Sequence, residues 1–189
     1  VVPHATRLQK AVESMAYCDF LLAKATLAAQ WRLCRPDIVD NNATGHPSQF
    51  TALWNPRLKH HNIEAGLRYQ DVDIEIHEGV CLITGANMAG KTVLLKTLGI
   101  AQLMAQFGFF TPAKTASISL VDDVILCIGD EQNEMNGLSS FASEIIKISD
   151  TIEQSQNNRL LILIDEPART TNPTEGKAIV QAVATLLGK

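Results

Sequence analysis

The sequence predicts an α/β fold: a mixed, mostly parallel sheet flanked by helices and preceded by one long helix. Three observations carry that expectation. Strand-like and helix-like segments alternate from about Pro56 onward, the pattern that builds a largely parallel sheet. A short β-rich run, Val80 to Thr84, feeds a loop holding two glycines and leaves it as a helix. A second apolar run, Leu160 to Ile164, ends on Asp165-Glu166, as expected for a central strand buried on both faces.

The first element is a helix from about Ala5 to Leu33. The stretch holds no glycine or internal proline, and Leu8, Val12, Met15, Cys18, Leu22, Ala25 and Ala29 form one apolar stripe at helical spacing. Arg35-Pro36 stops it, because proline carries no donor N–H. "DIVDNNATGHPSQFTALWNP" then reads as a polar, turn-rich connector up to about Pro56. Val72 to Ile76 and Val80 to Thr84 are strands separated by "HEG". The helix leaving the loop runs from about Lys91 to Phe107 and ends at Gly108, with Pro112 soon after. Phe141, Ile145, Ile148 and Ile152 mark a further helix, with Ser139 or Ser140 at its N-cap. Asn172, Pro173 and Glu175 fit the N-cap, N1 and N3 of a last helix that carries Ile179, Val183 and Leu186 inward.

Two of these junctions carry chemistry. Gly85, Gly90, Lys91 and Thr92 satisfy G-x-x-x-x-G-K-[ST] between a strand and a helix. The glycines let backbone N–H groups turn in around a phosphate, and the positive end of the helix attracts its charge. Lys91 reaches the β- and γ-phosphates, and the Thr92 hydroxyl is placed to ligate magnesium. At the end of the later strand, Asp165 would hold the magnesium and Glu166 would point a carboxylate at the attacking water, at the strand end where open α/β sheets bind ligands. The helix start at Ser139 and Ser140 is either a simple cap or a second anion site.

Composition sets limits. With 189 residues, 46% of them apolar and 19% charged, the chain buries one substantial core. A formal net charge of −4 gives no support to a broad basic face, so any nucleic-acid contact is expected to be local or to lie on parts absent from this chain. Cys18, Cys34, Cys81 and Cys127 lack the close pairs of a zinc site and read as small hydrophobes. No signal peptide is read, and no apolar run approaches the roughly 20 residues a membrane span needs, so the expectation is a cytoplasmic protein without membrane contact.

These motifs resemble those of the MutS mismatch-repair ATPases over nearly the whole chain. "TGANMAGKT" is similar to the family loop TGPNMGGKS, with Ala86 for proline and Ala89 for glycine. "LMAQFGFFTPAKTASISLVDDVILCIGDEQ" resembles the segment leading to the family's signature helix, and "LSSFASEI" resembles the opening of that helix. "LLILIDEPARTTNPTEG" is similar to the Walker B strand and its loop, with Pro167 and Ala168 in place of the usual residues. His46-Pro47 and "YCDFLLAKATLAAQWRLCRP" match the end of the lever helix and the beginning of the ATPase domain. "IGDEQ" and "NPTEG" lie closer to the second MutS branch, and "DEPARTTNPTEG" also resembles MutS-like proteins that accompany lysine and ornithine aminomutases.

The resemblance implies a P-loop NTPase of the ABC/MutS type. Residues 1–45 would be a lever-type helix and connector, and residues 46–189 the ATPase domain, truncated at its C-terminal side. ATP and Mg²⁺ would be bound through Gly85, Ala86, Asn87, Met88, Ala89, Gly90, Lys91, Thr92 and Val93, with Tyr69 near the adenine. Thr92 and Asp165 would hold the metal, and Glu166 and Lys91 would be catalytic. A homodimer through the ATPase face would set Ser139 or Ser140 of one subunit against the γ-phosphate bound by the other, with the Arg169 to Pro173 loop lying across the interface. Three functions follow: ATP hydrolysis coupled to binding of mismatched DNA and its repair, a MutS-like ATPase reactivating a cobalamin-dependent aminomutase as protein client, and a nucleotide-binding module inactive as an isolated fragment.

Overall fold

A computed structural model describes residues 4–39, 47–86, 89–128, 140–167 and 172–188; at 140, 141, 143, 144 and 173 it describes the backbone alone. The chain begins with α1 (Ala5–Trp31) and two short strands, β1 (Asp37–Val39) and β2 (Ser48–Leu53). Next come α2 (Pro56–Glu64), β3 (Val72–Ile76), α3 (Lys91–Gln106), β4 (Thr115–Ser119) and β5 (Asp123–Cys127). The last elements are α4 (Ser140–Ser155), β6 (Leu160–Ile164) and α5 (Pro173–Leu187).

The α/β expectation holds, but the sheet is mixed rather than mostly parallel. Four strands pair in the order β1-β4-β2-β3, and β5 pairs with β6 in a separate two-stranded sheet. β1 runs parallel to β4 and β5 parallel to β6, while β2 is antiparallel to both β3 and β4. The antiparallel pairings come from the connector, which is not merely turn-rich: residues 37–39 and 48–53 within it are strands. Phe50 and Leu53 escape a period-two pattern because the ladder with β3 shifts between them, at Ala52 with φ 50.

Val80 to Thr84 forms no strand, although its composition is β-rich. β6 pairs with β5 alone, and residues 77–83 line a cleft of about 610 Å³ together with β6 instead of pairing with it. Without a neighbour at ladder distance, the 80–84 backbone has nothing to bond, so propensity alone does not make a strand. The same opening explains why β6 is not buried on both faces: Leu163 is buried and its strand neighbours only half-buried.

α3 organises the core. Leu95, Thr97, Leu98, Gly99, Ala101, Gln102 and Ala105 are buried; at ~100° per residue they cover about 200° of the helix, twice an ordinary surface stripe. Its apolar side chains meet Phe50, Leu53, Ala116 and Ile118 of the four-stranded sheet and Leu163 of β6. Polar atoms on the same face are satisfied. Gln102 Nε2 donates to the Ser119 carbonyl at 2.9 Å, and Asn55 Nδ2 donates to Thr97 Oγ1 at 3.1 Å. Gly99 lets the helix lie close against the two-stranded sheet: a Cβ there would stand 3.3 Å from Leu163 Cδ1 and 3.5 Å from Leu126 Cδ1.

α1 has the length expected, but its apolar stripe does not dock. Leu8, Val12, Met15 and Leu22 are 58–72% exposed, and the helix meets the body through Lys24, Leu27 and Ala28 instead. It ends with Arg32 at φ 54, whose N–H and that of Leu33 bond to the carbonyls of Ala29 and Ala28. That is a Schellman closure built on arginine rather than glycine. α5 begins as expected, with the Asn172 side chain accepting from Thr174 N and Pro173 at N1. Ile179 and Val183 are half-buried, but Leu186 is 52% exposed and does not point inward. Of the cysteines, Cys127 is buried, Cys18 and Cys81 are exposed, and burial pushes the half-buried Cys34 thiol up from its ordinary pKa.

Filling the gap at Gly99 tests this packing. Gly99→Val should lower unfolding free energy by about 1–3 kcal/mol through overpacking against Leu163 and Leu126, read as a lower denaturant midpoint with unchanged slope; an unshifted midpoint would show that α3 and the β5–β6 sheet are not in close contact.

Candidate nucleotide site at the start of helix α3

The 85–92 loop ends on Gly90 at φ 86, the left-handed N-cap of α3. An L side chain is strained at this angle, so the position favours glycine. No side chain caps the helix, and its first turn has no acidic residue. Within the helix itself, therefore, no side chain offsets the leading N–H groups or the positive end of the dipole. A turn precedes the cap, with Ala89 N donating to the Ala86 carbonyl at 3.1 Å. Asn87 and Met88 lie outside the described residues.

Lys91 folds back over this loop. Its Nζ donates to the carbonyls of Gly85 and Ala86, both at 3.0 Å. Two carbonyls satisfy the ammonium without neutralising it, so phosphate oxygens entering the loop would replace them with charge-assisted bonds. The next residue, Thr92, donates its hydroxyl to Asp165 Oδ2. Asp165 is fixed where the β5–β6 ladder ends, its N–H donating to the Cys127 carbonyl at 3.0 Å. A hydroxyl and a carboxylate oxygen in contact beside this loop form a hard-oxygen donor set that suits magnesium. Among the described residues no cluster of three or more His, Cys, Asp or Glu offers another metal site.

Glu166 follows in the left-handed region, φ 44, and is exposed. For a non-glycine residue this conformation costs of order 1–3 kcal/mol and depends on surrounding structure to hold it. The backbone reversal starts immediately after β6, so the two acids of the pair need not share a direction. Lys91, Asp165 and Glu166 together line one end of the cleft between β6 and residues 77–83. The fold thus brings the cation, the hydroxyl and both acids of the sequence motifs to one place. Val93, one residue on, lies within α3, where its carbonyl accepts from Thr97 Oγ1 at 2.6 Å.

Other expected site residues stand apart or cannot be described. Tyr69 does not line the cleft; its hydroxyl accepts from Asn55 N at 2.8 Å, and Lys59 Nζ lies 5.8 Å from its ring centre. Ser139 falls outside the described residues, as do Ala168 to Thr171, and Ser140 is described only as the first residue of α4.

Sequence reasoning passed over two supports of the site. Asn55 caps α2 through Leu58 N while bonding Thr97, and Asn-Pro at an N-cap and N1 was the available signal. Lys147 of α4 donates to the Leu126 carbonyl of β5, the strand beside β6. A lone lysine on a helix carries no pattern that announces such a bond.

The family model described as MutS domain V matches residues 81–189, more than half of the chain. A protein named Endonuclease MutS2 from Leuconostoc mesenteroides is 35% identical over 183 residues, covering 96% of this chain and 22% of the relative. Another of that name, from Thermomicrobium roseum, is 36% identical over 186 residues, 95% of this chain and 23% of the relative. The DNA mismatch repair protein MutS of Brevibacillus brevis is 33% identical over 188 residues, 97% of this chain and 21% of the relative. The chain spans less than a quarter of the length of each. None of these three names points to aminomutase reactivation.

The loop geometry makes Lys91 the decisive cation. Lys91→Met keeps the stem but removes the charge-assisted bonds, about 1.5–3 kcal/mol, so affinity for a fluorescent ATP analogue should fall roughly ten- to a hundredfold. Equal affinities by titration would refute the phosphate-loop assignment.

Proposed function

Because the chain belongs to the MutS family, we propose that it binds ATP with magnesium and hydrolyses it as the nucleotide-driven part of a longer protein that acts on DNA, in mismatch repair or related processing. The observation that carries the reading is the Thr92–Asp165 hydrogen bond, which joins the phosphate loop to the acidic strand end across 73 residues of sequence. A glycine-rich turn that merely capped a helix would have no need of that partner.

In this reading the N–H groups opening α3 and the Lys91 ammonium hold the β- and γ-phosphates. Thr92 and Asp165 would hold the magnesium ion, which would supply positive charge beside the phosphates. Glu166 accepts a proton from the water whose oxygen attacks the γ-phosphorus, and ADP departs as the β–γ bridging bond breaks. Gly85 to Ala89 wrap the phosphates, Val93 continues the loop's helix, and Tyr69 is the aromatic assigned to the adenine. Ser139 or Ser140 at the start of α4 meets the γ-phosphate of a second subunit, so turnover belongs to a dimer. DNA is reached through parts of the protein beyond this chain, since the chain itself is acidic overall.

Two measurements on the full-length protein test the proposal. Glu166→Gln should bind ATP within a few-fold of wild type while turnover drops by about 10²–10⁴; turnover at the wild-type rate would remove Glu166 from the role. Wild-type ATPase should be stimulated by DNA, with the stimulation falling steeply as salt rises because phosphate contacts release counterions. Turnover indifferent to every DNA form but raised by a cobalamin aminomutase would instead establish a protein client.

A further inference from the structure

From Ala5 to Ala23 every residue of α1 is exposed, so more than half of this helix leaves the body without lateral support. Its direction is set at its base. There, Cys34 and Thr111 exchange backbone hydrogen bonds at 2.9 and 2.8 Å, one point of attachment just beyond the helix. Buried Ala28 and half-buried Leu27 pack just before it, so the base of α1 is anchored within its last turn, and a contact further along the helix is needed to fix its axis. Lys24, about two turns before the end of α1, supplies it.

Lys24 Nζ donates to the carbonyls of Phe107 and Gly108, at 2.9 and 3.2 Å, and lies 4.3 Å from the ring centre of Phe20 and 4.4 Å from that of Phe109. The carbonyls belong to the C-terminal cap of α3, where Gly108, at φ 70, and Phe109 bond back to Ala105 and Met104. The last turn of α3 has no basic residue of its own. Its negative end is therefore met by a cation from another helix, held between two aromatic faces. The other end of α3 begins at Lys91 of the phosphate loop, and the helix between is continuous and buried along about 200° of its circumference.

We propose that Lys24 is a latch: it fixes the direction in which α1 leaves the body and ties that direction to the helix that starts at the phosphate loop. A shift of α3 when its N-terminal end takes up phosphate moves the Phe107 and Gly108 carbonyls, and Lys24 carries α1 with them. Without the latch, α1 pivots about its base at Leu27, Ala28 and the Cys34–Thr111 pair and no longer follows α3. The coupling to nucleotide rests on the proposed site, whereas the fixing of α1 does not.

The test is a distance measurement between spin labels in the full-length protein. One label sits at the exposed Cys18 of α1 and one at Lys96→Cys on the exposed face of α3, with Cys34→Ala, Cys81→Ser, Cys127→Ala and any cysteine beyond this chain replaced. With Lys24 present, one narrow distance is expected. Lys24→Met should at least double its width, and Lys24→Arg, which keeps a cation and donors, should restore it. Magnesium with a non-hydrolysable ATP analogue should shift the narrow peak, and should leave the Lys24→Met distribution unmoved although that variant binds the analogue within twofold of wild type. A Lys24→Met distribution as narrow as wild type overturns the latch. A nucleotide shift that survives Lys24→Met, or wild type that binds analogue without shifting, overturns the tie to α3. If wild type binds no analogue, the nucleotide site is refuted, and the widths measured without nucleotide still decide whether Lys24 fixes α1.

Discussion

The burial of α3 is the constraint on which the rest of the structure depends. One helix has to satisfy two sheets that do not hydrogen-bond to each other, and it does so through the small residues Gly99, Ala101 and Ala105 together with Leu95 and Leu98. Because β5 and β6 are held against it at Gly99, the end of β6 is fixed relative to the start of α3. That is why Asp165 can receive the Thr92 hydroxyl. A loosely packed α3 would leave the loop and the acids as unrelated features.

The electrostatics of α3 follow the same logic at both ends. Neither terminal turn carries a residue that complements the macrodipole. At the C-terminal end the complement comes from Lys24 of another helix. At the N-terminal end the helix has no side-chain cap and Lys91 adds positive charge, so the position suits an anion from outside the protein. A helix with one end completed by a neighbouring helix and the other left without a cap of its own can respond at one end to what happens at the other.

Membership in the MutS family and the nucleotide loop enter this picture from different directions. The family follows from similarity spread over residues 81–189 and beyond. The candidate site follows from the Thr92–Asp165 hydrogen bond and from the cleft that Lys91, Asp165 and Glu166 line together, which a similarity score does not weigh individually. Pro167 departs from the residue usual in the similar family motif, yet the contact between the 85–92 segment and the acidic pair lies before it, at the end of β6.

The sequence by itself determined the elements whose signals are local. The glycine-lysine-threonine loop, α3 up to Gly108, the apolar run of β6 and the Asn172-Pro173 start of α5 are each specified by neighbouring residues through capping, φ preference and periodicity. Tertiary structure decided what depends on partners distant in sequence. The connector around Phe50 became antiparallel strand because β3 and β4 offered edges to it, and Val80 to Thr84 did not become strand because nothing lay at ladder distance. α1 docked through Lys24 and Ala28 rather than its apolar stripe, since the end of α3 presents carbonyls and an aromatic ring there. Backbone hydrogen bonds in a helix close within four residues, so sequence specifies them; sheet ladders and helix docking need a second surface, which only the folded chain provides.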